Sequence, residues 1–208
     1  MPKAKNAEEY IAMQRAAIAG NPECGTSHYN LAVGLLGLKK YDEAEKELFA
    51  ALDCSPNLAE AYVQLGGICL QKGDLEGCLE YNKRSVKSRA GFSEGWANIG
   101  FAQLQLGNIE EAITALEKAT RWNPNFLQAY TTLANAYLMK GMVDESIETN
   151  LKALKLEEGF AVAHNNLAVA YLEKKHYEMA VQHCDKADDL GYEVAPEILQ
   201  EIEKYRKG

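Results

Sequence analysis

A polar column recurs along this sequence at one spacing: Asn30, Gln64, Asn98, Thr132 and Asn166 follow one another every 34 residues. A carboxamide carries both hydrogen-bond donors and an acceptor. It can therefore pair with the N–H and the C=O of one extended peptide unit, whatever side chain that unit bears. Repeated at a fixed interval, such groups suit backbone recognition. The residues of bond-making chemistry are arranged otherwise. The four histidines and five cysteines form no CxxC pair and no metal-ligand or catalytic-dyad spacing, and GxxxxGK[ST] and GxGxxG are absent from the sequence. The expectation is a non-enzymatic chain with no catalytic residue, cofactor or metal.

The elements that carry the column repeat with it. Leu31, Leu65, Ile99, Leu133 and Leu167 keep the 34-residue interval, each followed by a small residue: Ala32, Gly66, Gly100, Ala134 and Ala168. Ala44, Cys78, Ala112, Ser146 and Ala180 do the same, as do Ala51, Ser85, Ala119, Ala153 and Ala187. Five units tile residues 25–58, 59–92, 93–126, 127–160 and 161–194 without insertion or deletion. Each unit reads as two amphipathic helices, from about His28 to Leu38 and from about Asp42 to Cys54 in the first. Small residues mark close helix crossings. His28, Tyr62, Trp96, Tyr130 and His164 fill the gap beside them. Gly73, Gly107 and Gly141 can end first helices with positive φ. Cys69, Cys78 and Cys184 replace apolar or small repeat residues, and Cys24 and Cys54 also fall in packing phase, so all five read as small hydrophobes. Carboxylates such as Asp42, Glu43, Glu45 and Glu47 read as a solvated second-helix face.

This pattern resembles the tetratricopeptide repeat family. The third unit carries the family signature as Trp96, Ile99, Gly100, Ala112, Leu116, Ala119 and Pro124, and the fourth as Tyr130, Leu133, Ala134, Tyr137, Ser146 and Ala153. The departures, Ala90 and Glu158 for the Pro and Leu35, Cys69 and Gln103 for the first-helix Tyr, are conservative for packing. The resemblance implies an all-α fold, a right-handed superhelical solenoid of antiparallel helix pairs. Residues 1–24 look like an N-terminal half-repeat, and residues 195–208 like a capping helix over 196–206, with Ile198, Ile202 and Tyr205 on its apolar stripe.

The resemblance also implies that first helices line a concave groove, with the polar column facing inward like the family's peptide-binding asparagine ladders. The groove residues are then Asn30, Gln64, Asn98, Phe101, Thr132, Asn135 and Asn166. The neighbouring columns (Thr26, Glu60, Glu94, Gln128, Val162; Val33, Gly67, Phe101, Asn135, Val169; Gly37, Gln71, Gln105, Met139, Glu173) hold no Lys or Arg. The family's chaperone-adaptor members need a cationic clamp there, so an EEVD-type chaperone tail is not the expected ligand. Glu60 and Glu94 favour a basic or amide-rich protein segment. A basic cluster, Lys83, Arg84, Lys87 and Arg89, forms a candidate second docking patch on the second helix of residues 59–92.

Composition narrows the partners further. The 208 residues carry 30 acidic and 22 basic side chains, a formal charge of -8, which disfavours phosphate-rich ligands and hence nucleic acid. No apolar run is long enough for a membrane span, and Glu8, Glu9 and Arg15 interrupt any signal-peptide core, so the expected location is cytoplasmic with no membrane insertion. The leading expectation is a scaffold or adaptor that binds a partner's peptide segment in the groove. The alternatives are a self-assembling scaffold, with self-association through an end or the N-terminal helix, and an accessory or regulatory subunit of an enzyme complex.

Overall fold

The computed structural model describes residues 6–206 and is all-α, with twelve helices among them. In chain order these are α1 (Ala7–Gly20), α2 (Gly25–Gly37), α3 (Tyr41–Cys54), α4 (Ala59–Gln71), α5 (Leu75–Ser88), α6 (Ser93–Gln105), α7 (Ile109–Trp122), α8 (Leu127–Met139), α9 (Val143–Leu156), α10 (Ala161–Glu173), α11 (Tyr177–Asp189) and α12 (Pro196–Glu203). The chain forms two compact units, Met1–Ala102 and Gln103–Gly208, which divide within α6.

In the first unit α1 packs on α2, α2 on α3, α3 on α4 and α4 on α5. Its core is built from Leu31, Leu35, Leu48, Leu65 and Ile68, with Ala32, Ala44 and Ala61 where helices approach. In the second unit Leu104, Leu116 and Leu133 pack around Ala112 and Ala136, and a C-terminal cluster joins Ala168, Ala180, Cys184, Val194 and Ile202. Leucine fills the space and alanine sets the spacing, so each helix is buried along one stripe.

Every first helix of a pair ends in the same way. Lys40, Asp74, Asn108, Met142 and His176 each donate their backbone N–H to the carbonyl five residues earlier, at 2.8–3.0 Å. This closure needs a left-handed residue just before the donor. Gly73, Gly107 and Gly141 supply it at φ 77–79°, as the sequence leads one to expect; Lys39 and Lys175 supply it at φ 58° and 59°. A side chain in that region costs about 1–2 kcal/mol. Lys39→Gly and Lys175→Gly are each expected to raise stability by about 1 kcal/mol, a gain that thermal melts of the single variants would read.

Two helix bounds differ from the sequence reading. The first helix after the N-terminal turn begins at Gly25, not near His28, because the Cys24 carbonyl already accepts from Ser27 and His28. Gly25 lies against the end of α3, where a Cβ would meet Ser55 Oγ at 2.6 Å. The last helix stops at Glu203 rather than 206, with residues 204–205 in a turn. Its expected stripe does pack inward: Ile202 is fully buried, Ile198 is half-buried, and the Tyr205 ring stacks on Tyr177 at 3.7 Å.

The second-helix carboxylates are partnered, not merely solvated. Glu43 pairs with Arg15 at 3.1 Å, Glu45 with Lys72 at 2.8 Å, and Glu47 with His28 at 2.6 Å. Lys72–Asp42, Lys140–Glu110 and Lys174–Asp144 share one relation, a lysine closing a first helix reaching the first turn of the preceding second helix. These pairs are exposed, so each contributes about 0–1 kcal/mol.

Candidate functional site

The polar column divides between the units. In the first unit Asn30, Gln64 and Asn98 lie half-buried on α2, α4 and α6, with Phe101 exposed beside them. In the second, Thr132 and Asn166 are half-buried on α8 and α10, and Asn135 is exposed. Val33 and Met139, also in first-helix columns, are exposed apolar side chains at 39% and 53%.

Two of the column's asparagines are held from behind by residues that the column alone does not reveal. Asn98 Nδ2 donates to Asn82 Oδ1 at 3.2 Å, and Asn82 is fully buried, its own Nδ2 donating to the Cys78 carbonyl at 2.8 Å. The second unit repeats this: Asn166 Nδ2 reaches Asn150 Oδ1 at 3.5 Å and the Thr131 carbonyl at 3.3 Å, while buried Asn150 donates to the Ser146 carbonyl at 3.1 Å. A buried carboxamide is costly unless paired, and each pair satisfies it. The sequence signal was present: positions 48 and 116 hold Leu where 82 and 150 hold Asn.

Asn98 thus binds one acceptor within the fold through its Nδ2 and Asn166 two. Asn98 retains its second N–H and its Oδ1, one donor and one acceptor for an incoming backbone, while Asn166 retains its Oδ1 as an acceptor. Gln64 lies beside the Tyr29 hydroxyl. Thr132 spends its hydroxyl proton on the Gln128 carbonyl at 2.7 Å and offers only acceptor lone pairs. Glu60, read as facing a basic ligand, is paired with Arg89 at 2.9 Å. Ser93 Oγ donates to Glu94 at 2.9 Å.

The basic cluster is partly neutralised for the same reason. Arg84 pairs with Glu80 at 2.9 Å, and Arg89 lies over the Phe92 ring at 3.9 Å while engaging Glu60. Lys83 and Lys87 remain exposed.

The aromatic position does more than fill space. His28 Nε2 meets the Pro22 carbonyl at 3.0 Å, Tyr62 Oη the Pro56 carbonyl at 3.1 Å, Trp96 Nε1 the Ala90 carbonyl at 2.8 Å, and His164 Nε2 the Glu158 carbonyl at 2.9 Å. In each case the ring donates to the carbonyl six residues earlier and ties its helix to the preceding turn. All five residues at this position carry an N–H or O–H, and none is Phe.

Three cysteines are buried, while Cys24 and Cys54 are half-buried at adjoining turns. Ser27 Oγ donates to Cys24 Sγ at 3.2 Å, and this bond with the local backbone N–H groups holds the Cys24 thiol below its ordinary pKa. Burial first, then the nearby Glu23 carboxylate, pushes Cys54 up. No helix among the described residues is long and apolar enough to cross a membrane.

Family models described as tetratricopeptide repeats match residues 11–59, 127–160 and 161–190, and one described as TPR repeat matches residues 100–141. No curated protein sequence matches the chain. Among solved structures, that of YrrB, a TPR protein with an unusual peptide-binding site, is 21% identical with a TM-score of 0.74, covering 93% of this chain and 99% of that one. MamA from Desulfovibrio magneticus RS-1 is 22% identical with a TM-score of 0.70, over 80% of this chain and 94% of that one. A chain of the APC/C hetero-tetramer Cut9–Hcn1 superposes over 97% of this chain with a TM-score of 0.81 at 17% identity; only 40% of that chain is covered.

Proposed function

Since the chain is a tetratricopeptide repeat protein, built on a class of generally non-enzymatic interaction scaffold, we propose that it is an adaptor that holds an extended segment of a partner protein on its first-helix face. The observation that carries this reading is the state of Asn98 and Asn166. Each is half-buried and oriented by a buried asparagine behind it; Asn98 is left with one donor and one acceptor, and Asn166 with its Oδ1 acceptor. Side chains fixed before binding lose little entropy on binding, which favours backbone recognition. Exposed Phe101 in the first unit and Met139 in the second supply apolar contact for a ligand's side chains. With Glu60 internally paired, the preference for an amide-rich segment rests on the carboxamides more than on groove acidity.

The test is a pull-down from the native cell with mass spectrometry, repeated with Asn98→Ala/Asn166→Ala. The expected result is loss of the captured partner by at least tenfold, measured well below the variant's melting temperature, which falls by about 10 °C because Asn82 and Asn150 each lose a partner. Unchanged capture beside a large loss of stability would make the two asparagines purely structural. Light scattering of the isolated chain completes the test, since a concentration-dependent rise in mass would identify the bound segment as another copy.

A further inference from the structure

The last repeat contains a pair of side chains that packing alone does not require. His164 on α10 and His183 on α11 bring their Nδ1 atoms to 2.9 Å. The corresponding pairs in the other four repeats are His28–Glu47, Tyr62–Tyr81, Trp96–Ala115 and Tyr130–Thr149. Only the fifth repeat places two imidazoles there.

Their hydrogen bonds assign the protons. A carbonyl oxygen only accepts, so the 2.9 Å contact between His164 Nε2 and the Glu158 carbonyl puts a proton on Nε2. In the neutral ring His164 Nδ1 is then a bare lone pair aimed at His183. A metal-binding histidine shares the first half of this arrangement, one nitrogen donating to a backbone carbonyl and fixing the tautomer; a metal would replace the Nδ1–H···Nδ1 hydrogen bond, the rings turning so that both Nδ1 lone pairs converge beside the N–N line. Tyr171 stacks on the His183 ring at 5.5 Å and holds its plane.

The separation also has the right size. Metal–imidazole bonds of about 2.0–2.1 Å meeting at about 90° put the two nitrogens about 2.9 Å apart, whereas a tetrahedral angle needs about 3.3 Å. Right-angle nitrogen pairs suit square-planar or octahedral ions, Ni2+ and Cu2+ before Zn2+. His164 is 7% exposed, while His183 is partly open to solvent. That opening admits an ion and leaves water to complete its shell. No group of three or more His, Cys, Asp or Glu is placed to hold a metal among the described residues.

We propose that His164 and His183 form a two-histidine site for a divalent late transition metal, with Nδ1 of each ring as ligands. Binding moves the His183 proton from Nδ1 to Nε2, so both rings ligate in neutral form and no net proton is released. The site lies between α10 and α11 and is separate from the peptide-binding reading of the first-helix face.

The experiment titrates Ni2+ into tag-free protein at pH 7.5 by calorimetry, with the half-buried thiols removed as Cys24→Ser/Cys54→Ser. The expected result is one Ni2+ per chain with a micromolar dissociation constant. His183→Ala should weaken this at least tenfold and His176→Ala should not. The His183→Ala variant places at 183 the alanine that the third repeat carries at 115, and its circular dichroism spectrum checks that the helices are retained. Failure to saturate below millimolar Ni2+, or equal affinity in His183→Ala, would overturn the proposal. Repeating the titration in two buffers of different ionisation enthalpy measures the proton count; release of a full proton would contradict the neutral-ligand assignment.

Discussion

Gly66→Ala is expected to lower stability by about 1–2 kcal/mol, and Gly67→Ala, one residue on, to raise it by about 0.5–1 kcal/mol. The two glycines sit in the same helix and differ only in what lies opposite. A Cβ on Gly66 would lie 2.3 Å from Asn82 Nδ2, whereas one on Gly67 has nothing within 4 Å. Asn82 cannot simply swing aside, because it is fully buried and is bound to both the Cys78 carbonyl and Asn98. The fourth repeat shows what the added methyl does. There Ala134 holds the glycine's place, and the matching bonds are longer: 3.1 Å against 2.8 Å to the carbonyl, and 3.5 Å against 3.2 Å between the asparagines. Gly66→Ala therefore stretches a network rather than destroying it, which keeps the loss to the size of a weakened buried hydrogen bond and some strain. Gly67→Ala only removes the backbone freedom of a mid-helix glycine. Melting of the two single variants should separate them by about 5 °C, with wild type between. Equal melting temperatures would mean that the Asn82–Asn98 pair is not a fixed element of the fold.

The same contrast marks how far the sequence alone reaches. Helix pairs follow from a hydrophobic period, and a period is visible in one dimension. The first-helix ends follow too, because glycine at 73, 107 and 141 signals positive φ. Lys39 and Lys175 adopt that conformation without the signal, and only their position in the repeat predicts it. The asparagine pairs span two repeats, second helix to next first helix, so reading either column separately leaves them unconnected. Asn98 and Asn166 look like free groove residues until Asn82 and Asn150 are placed behind them. His164 and His183 were similarly legible only one at a time. The first fills an aromatic position and the second is one of a polar second helix, and their meeting is a fact of how α10 packs on α11.

That meeting also sets the acid response of the second unit. A histidine unfolded in water titrates near 6.5. In the fold, burial and then the facing His164 bring His183 to about 4. Between these values the unfolded chain binds more protons than the folded one, so stability falls as pH drops through 6.5 and levels off below about 4. Above 6.5 both states hold a neutral ring and nothing is lost. The full shift corresponds to about 3 kcal/mol, and partial exposure of the ring reduces this to about 2 kcal/mol. Carboxylates contribute to acid unfolding over part of the same range, so the measurement is a difference. Denaturant midpoints of wild type and His183→Ala, taken with a chelator from pH 7.5 to 4.5, should converge as the pH falls. Wild type loses about 2 kcal/mol that the variant keeps. Parallel curves would show that the ring takes its proton without penalty, and hence that α11 moves to admit water around it.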